Sequence, residues 1–283
     1  MIILKICILK NSCLCFLIYL SFFSTQKIFA QRGWEIGGNV GAAYYFGDLN
    51  TSFDLSHPGL ALGVTSRFNF NERLCLKLSG TYGKIGADDK NSANAFERTR
   101  NLNFRSDIFD GGAQFEFNFL PYNYYDPSKR FSPYVFAGFN VYHFNPQGNL
   151  NGTWYDLAPL GTEGQFKGEE YYTTQLALNY GIGFKIALGE EWSINLELSA
   201  RKLFTDYLDD VSTVYPSMND LRKSRGPIAI ALSDPSLLDA EGKKLGLPGR
   251  QRGDSNQNDT YSFFTFGVLY YFGDLKCPTI GRN

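Results

Sequence analysis

From residue 34 onward, this chain repeatedly alternates oily and polar residues over runs long enough to cross a lipid bilayer. Phe109 to Phe119 is the cleanest run. Phe109, Gly111, Ala113, Phe115, Phe117 and Phe119 fall on one face, and Asp110, Gly112, Gln114, Glu116 and Asn118 on the other. Successive side chains of a strand point to opposite faces, so the pattern predicts a strand with one greasy and one polar side. Seven such runs are clear: 34–46, 59–70, 74–81, 109–119, 175–188, 192–201 and 261–272. An eighth, 134–144, carries apolar groups on both faces.

Short turns at Asn71-Glu72-Arg73 and Gly189-Glu190-Glu191 alternate with polar loops over 86–106, 145–170 and 205–260. The connector through Pro121, Asp126, Pro127 and Pro133 is predicted to lie outside regular sheet, because proline lacks the ladder donor. Alternating strands divided in this way predict an all-β fold: a transmembrane antiparallel up-and-down β-barrel of about eight strands with long extracellular loops. The apolar faces then meet lipid and the polar faces fill a narrow lumen. Short turns are expected to be periplasmic, and an even strand number places both termini there too.

The first thirty residues read as a cleaved signal peptide. Lys5 and Lys10 give a positive start, Cys13 to Phe23 is apolar, and Ile28-Phe29-Ala30 precedes Gln31. The expected division is thus a signal over 1–30, the barrel over 31–275 and a periplasmic tail over 276–283. The chain holds 27 basic and 28 acidic residues. Loss of Lys5, Lys10 and Lys27 with the signal leaves 24 against 28, a mild balance that argues against nucleic acid as a partner. No later stretch is long and apolar enough for a membrane helix. Aromatic residues make up 16% of the chain and glycines number 29, which suits interfacial girdles and a crowded interior.

The inward positions supply Glu35, Glu116 and Glu197 against Arg67, Lys77, Lys185 and Arg201. Buried charges are tolerable only when paired, so these seven are expected to form a lumen charge network that plugs the barrel. Cys75 and Cys277 survive signal removal and form a candidate disulfide. Strand eight ends Gly267-Val268-Leu269-Tyr270-Tyr271-Phe272, which resembles the signal that barrel-assembly machinery reads, although Phe266 stands where a polar residue is preferred. Tyr-Tyr-Phe-Gly-Asp-Leu occurs twice, at Tyr44 to Leu49 and Tyr270 to Leu275.

Candidate chemistry is sparse. An enzyme at a barrel rim needs a histidine and serine pair, and the chain offers only His57 and His143, with no Gly-x-Ser-x-Gly elbow. No enzyme activity, catalytic residue, cofactor or metal is expected. Asp206, Asp209 and Asp210 present oxygen ligands of the kind calcium takes, but without the spacing of an EF-hand loop they read as a solvated acidic turn. The long loop predicts short helices over Pro216 to Arg222 and Ile228 to Leu232, then a basic, flexible Gly249 to Gly253. A loop of that length is expected to be a binding surface.

Four blocks then carry a family resemblance: Gly41 to Asn50, Phe204 to Ser212, Gln251 to Asp254, and Tyr270 to Pro278. Together and in this order they resemble the PorG-type outer-membrane barrel of the Bacteroidota type IX secretion system. That resemblance implies a non-catalytic subunit of a secretion and gliding apparatus. Its partners would be outer-membrane lipid, a PorK-like ring lipoprotein and a PorN-like periplasmic ring protein. Contact with the ring would use periplasmic features. The connector with exposed Tyr122, Tyr124 and Tyr125 is the first candidate, with Lys276 of the tail beside it. A generic OmpA- or OmpX-like structural or adhesive barrel is the alternative.

Overall fold

The computed structural model describes residues 33–238 and 241–273. The expected signal, and the tail with Lys276 and Cys277, lie outside the described residues. Nine strands form among those described: β1 Gly33–Phe46, β2 Gly59–Asn69, β3 Leu74–Asp88, β4 Asn103–Asn118, β5 Phe131–Leu150, β6 Thr153–Asp156, β7 Thr174–Ala187, β8 Trp192–Leu203 and β9 Thr260–Gly273. Every strand but β6 pairs antiparallel with its neighbours, and β1 pairs with β9, closing a ring of eight. β6 only forms a hairpin with the far end of β5. This is the predicted up-and-down barrel. Closure is what lipid demands, since an open sheet edge would leave bare backbone donors and acceptors where no water can satisfy them.

The faces sort as the alternation requires. Phe115 is 65% exposed and Phe117 40%, whereas the alternating Gln114 and Glu116 are buried. Exposed Trp34, Ile36, Leu62, Val64, Leu176, Ile182, Leu198 and Phe266 continue the apolar exterior around the ring. At the short-turn end this exterior finishes in touching aromatic rings, Trp34 on Phe68 and Trp192 on Tyr270, each with centroids 5.0 Å apart. Such a girdle marks a membrane interface, and the molecule is a membrane-spanning barrel.

Several boundaries differ from the sequence reading, among them β3, which runs on to Asp88. β4 begins at Asn103, inside the expected loop, and β5 runs on to Leu150. Pro133 lies within β5, opposite Phe184 of β7. Its carbonyl accepts from the Phe119 amide at 2.9 Å. The return bond that proline cannot donate is replaced by the Arg73 guanidinium, which donates to the Phe119 carbonyl at 2.6 Å.

The lumen is filled in three tiers. At the short-turn end Tyr122, Tyr124, Ala187 and Tyr271 pack together. Charged side chains occupy the middle. At the long-loop end, inward Phe104, Ile108, Tyr142, Phe144, Tyr261 and Phe263 form an apolar core with loop residues Leu157, Leu208, Val211 and Leu232. The two-sided apolarity of β5 follows from this: one face meets lipid and the other meets loops folded into the barrel mouth. Three short helices lie in the loops, α1 Ala95–Arg100, α2 Met218–Arg225 and α3 Pro227–Ser233. The last two are close to the predicted pair, and α3 buries Ala229 and Leu232.

Candidate functional site: a charge ladder and a polar knot inside the barrel

All seven charged lumen residues of the sequence reading are buried, and each is held in an ion pair. Arg67 pairs with Glu35 at 2.6 Å and with Glu116 at 2.8 Å, and Lys185 reaches Glu116 at 2.6 Å. Lys77 pairs with Glu197 at 2.6 Å, and Tyr134 donates to the same carboxylate at 2.8 Å. Arg201 closes on Asp110 at 3.1 Å, with Tyr261 donating to Asp110 at 2.6 Å. Asp110 is the member the charge count missed, although its place on the inward face of β4 was readable. With it, four acids balance four bases. Paired, buried charges that fill the space between strands are packing.

Cys75 sits in this tier, its thiol 2.9 Å from Asn69 Oδ1 and 3.5 Å from Lys185 Nζ. Its candidate partner Cys277 is outside the described residues.

The connector tyrosines require a correction. Tyr122 is 3% exposed and Tyr124 0%, so they do not form an exposed surface. Glu72 accepts from the Tyr122 amide at 3.0 Å and from Asn123 Nδ2 at 3.1 Å, while Lys129 binds its carboxylate. This ties the connector beneath the barrel. Tyr124 then stacks on Tyr271 with ring centroids 4.4 Å apart. Burial pushes both phenols upward from their ordinary value. Tyr125 is half-buried, and Asp126 and Ser128 remain on the outside.

At the loop end, three of the resemblance blocks converge. The Asp254 amide donates to Asp48 at 3.0 Å, joining Gln251–Asp254 to the first hexapeptide. Tyr45 donates to Asp209 at 2.5 Å and lies 3.3 Å from Asp259. Arg252 pairs with Glu163 at 3.0 Å and Asp210 at 3.6 Å. Arg100 of α1 pairs with Asp89 at 2.8 Å and donates to the backbone carbonyls of Asp48 and Arg252. Two glycines permit this crowding. A Cβ at Gly253 would lie 2.5 Å from Asp48 Oδ2, and one at Gly47 would collide with Asp259. Asp206, Asp209 and Asp210 are therefore not the solvated turn expected of them, because the loop folds inward and buries all three. Nor is Arg252 part of a flexible basic stretch, since it is 2% exposed. Burial raises Asp48 and Asp210 to about 6 and Asp206 to about 7. For Asp206 the acidic neighbours Asp48, Glu163 and Asp254 add to the rise, against an easing contact from Ser212.

The histidines do not assemble a catalytic group. His57 does meet a serine and an acid in the first loop, but one ring nitrogen, Nδ1, faces both Ser56 Oγ at 2.8 Å and Asp54 Oδ2 at 3.3 Å. A proton relay needs opposite nitrogens for base and acid. Asp54 also accepts from the Ser56 amide, so this is a hydrogen-bonded turn. His143 faces outward and meets Thr174 at 2.9 Å.

The two hexapeptides do parallel work at opposite ends. The second tyrosine of each, Tyr45 and Tyr271, turns inward and closes its own mouth of the lumen.

No curated protein matches the chain. Solved outer-membrane proteins align over most of it at low identity. The attachment invasion locus protein Ail of Yersinia pestis, solved with the heparin analogue sucrose octasulfate, is 11% identical with a TM-score of 0.42, covering 86% of this chain and 99% of its own. OprG from Pseudomonas aeruginosa is 12% identical at 0.41, covering 87% and 99%. Neisserial surface protein A is 11% identical at 0.40, covering 84% and 97%. A family model spans residues 12–226, from ahead of β1 to the α2 helix, and by that match the chain belongs to the family described as a domain of unknown function, DUF6089.

Proposed function

We propose that this chain is a non-catalytic outer-membrane subunit of a type IX-like secretion and gliding machinery, anchoring a periplasmic lipoprotein ring. The observation that carries the reading is the meeting of three resemblance blocks in one buried knot. Blocks that fold into a single unit are a shared structural solution, whereas chance matches would scatter. The plugged lumen favours a scaffold over a pore. In this reading the long loops face outward from the cell and the short turns and both termini face the periplasm.

With Tyr122 and Tyr124 occupied inside, the surface left for PorK-like and PorN-like partners is the rim around them. Among the described residues it comprises Tyr125, Asp126 and Ser128 and the Glu190-Glu191 turn; Lys276 of the tail, the other expected contact, lies outside them. Affinity purification of the solubilised full-length protein should recover the ring components. Joint replacement of Asp126, Glu190 and Glu191 with lysine should cut that recovery at least tenfold while the barrel stays folded. Recovery of no ring component by the unaltered protein overturns the proposal and favours the second reading, a generic OmpA- or OmpX-like structural or adhesive barrel. Exposed Phe166, Tyr172 and Leu238 on the loops are what that alternative has in its favour.

A further inference from the structure

The knot under the loops carries more negative charge than its own cations balance. Asp48, Asp89, Glu163, Asp206, Asp209, Asp210 and Asp259 gather there. Their ion pairs among the described residues are with Arg100 and Arg252 alone. Seven carboxylates against two guanidiniums is not a stable buried arrangement unless something else neutralises it.

Six of the seven have an evident partner. Asp89 and Glu163 hold the arginines. Asp210 accepts from Thr162 and Tyr171 as well as facing Arg252. Asp209 takes Tyr45 and the Val211 amide, Asp259 takes the Leu208 amide, and Asp48 the Asp254 amide. Asp206 is different. It is 7% exposed, and both of its carboxylate oxygens are shut from solvent without a hydrogen-bond partner. The charges that act on it most strongly, Asp48, Glu163 and Asp254, are all acidic, and only the nearby Ser212 side chain eases it. A bare buried carboxylate aimed among other carboxylates is where a cation belongs.

We infer that the knot takes up one hard divalent cation of the calcium class at Asp206, with Asp48 as the second carboxylate. Carboxylate, hydroxyl and backbone oxygens are the donors such ions take. No three His, Cys, Asp or Glu side chains among the described residues form a ready-made cage. The shell is therefore two carboxylates completed by the Ser212 hydroxyl, backbone oxygen and water. Such an ion would tie the first hexapeptide to the long loop, locking the knot from within. The inference stands on the loop geometry and is independent of the secretion role.

The test uses the full-length protein folded in detergent near neutral pH, with calcium ion as the probe. Adding millimolar calcium after chelation should raise the unfolding midpoint by about 5 °C or more. Terbium should show luminescence sensitised by nearby tyrosines, and calcium should displace it. Asp206→Asn should lose both effects, and Asp48→Asn should weaken them, while Asp107→Asn on the exposed outer wall keeps them. Gel mobility before and after heating establishes that each variant is folded. Three results overturn the inference: no calcium response in the unaltered protein, an equal response in Asp206→Asn, or a midpoint that rises in Asp206→Asn with calcium inert. The last would mean that protons neutralise the knot.

Discussion

Replacing Glu116 with glutamine is the sharpest probe of the lumen. Glu116 lies between Arg67 at 2.8 Å and Lys185 at 2.6 Å, with Lys77 at 4.0 Å, and is 1% exposed. Four acids (Glu35, Asp110, Glu116 and Glu197) balance four bases (Arg67, Lys77, Lys185 and Arg201) in the unaltered tier. Glu116→Gln keeps the shape and removes one negative charge, leaving the tier with an excess cation far from water. Breaking a buried pair on one side costs about 3–5 kcal/mol, mostly as the penalty on the charge left behind. At about 2–4 °C per kcal/mol for a chain of this size, the midpoint should fall by about 10 °C. Thermal unfolding followed by gel mobility measures it. Adding Lys185→Met restores the balance at three acids against three bases, and the double variant should recover most of the loss. If Glu116→Gln unfolds like the unaltered protein, the lumen is wet enough to screen its charges, and the plugged-barrel argument fails.

Other expectations are narrower. Gly253→Ala sets a Cβ 2.5 Å from Asp48 Oδ2 and 2.7 Å from the Ser212 amide nitrogen, and should cost about 1–3 kcal/mol in urea titration, whereas no loss would mean that the knot gives way easily. Tyr124→Ala removes a buried ring stacked on Tyr271 and should cost about 3 kcal/mol, read by the same titration; a neutral effect would show the tyrosine tier to be loose. The Asp206 carboxyl is held up to about 7, above its ordinary 3.8. Between those values the folded loops keep a proton that the unfolded chain has released, so in chelator the stability of the loops falls as pH climbs through that window and levels off above it. Limited proteolysis within 205–260 should accordingly run faster at pH 8 than at pH 5.5, and equal rates would show Asp206 to be solvated.

The barrel was legible because a strand crossing lipid must declare both faces. Phe115 against Glu116, or Ile182 against Lys185, has one consistent arrangement. Where the alternation blurred, another demand was present: Tyr142 and Phe144 are apolar on the inner face because loops pack on them, a contact that local pattern does not encode. Pro133 read as a strand breaker because the substitute donor, Arg73, is sixty residues away in sequence. The burial of Tyr122 and Tyr124 and of the Asp206 to Asp210 stretch was hidden for a similar reason. Polar and aromatic loop residues look solvent-facing until their partners, Glu72 or Tyr45, are known to lie beside them. The four blocks of the resemblance gave no sign in the sequence that three of them touch.

Because tyrosines close one mouth, ion pairs the waist and packed loops the other, a leak through this wall needs independent breaches in series. Weakening any single tier should cost robustness well before it costs watertightness. That separation lets a membrane-spanning barrel lose one tier without becoming a hole.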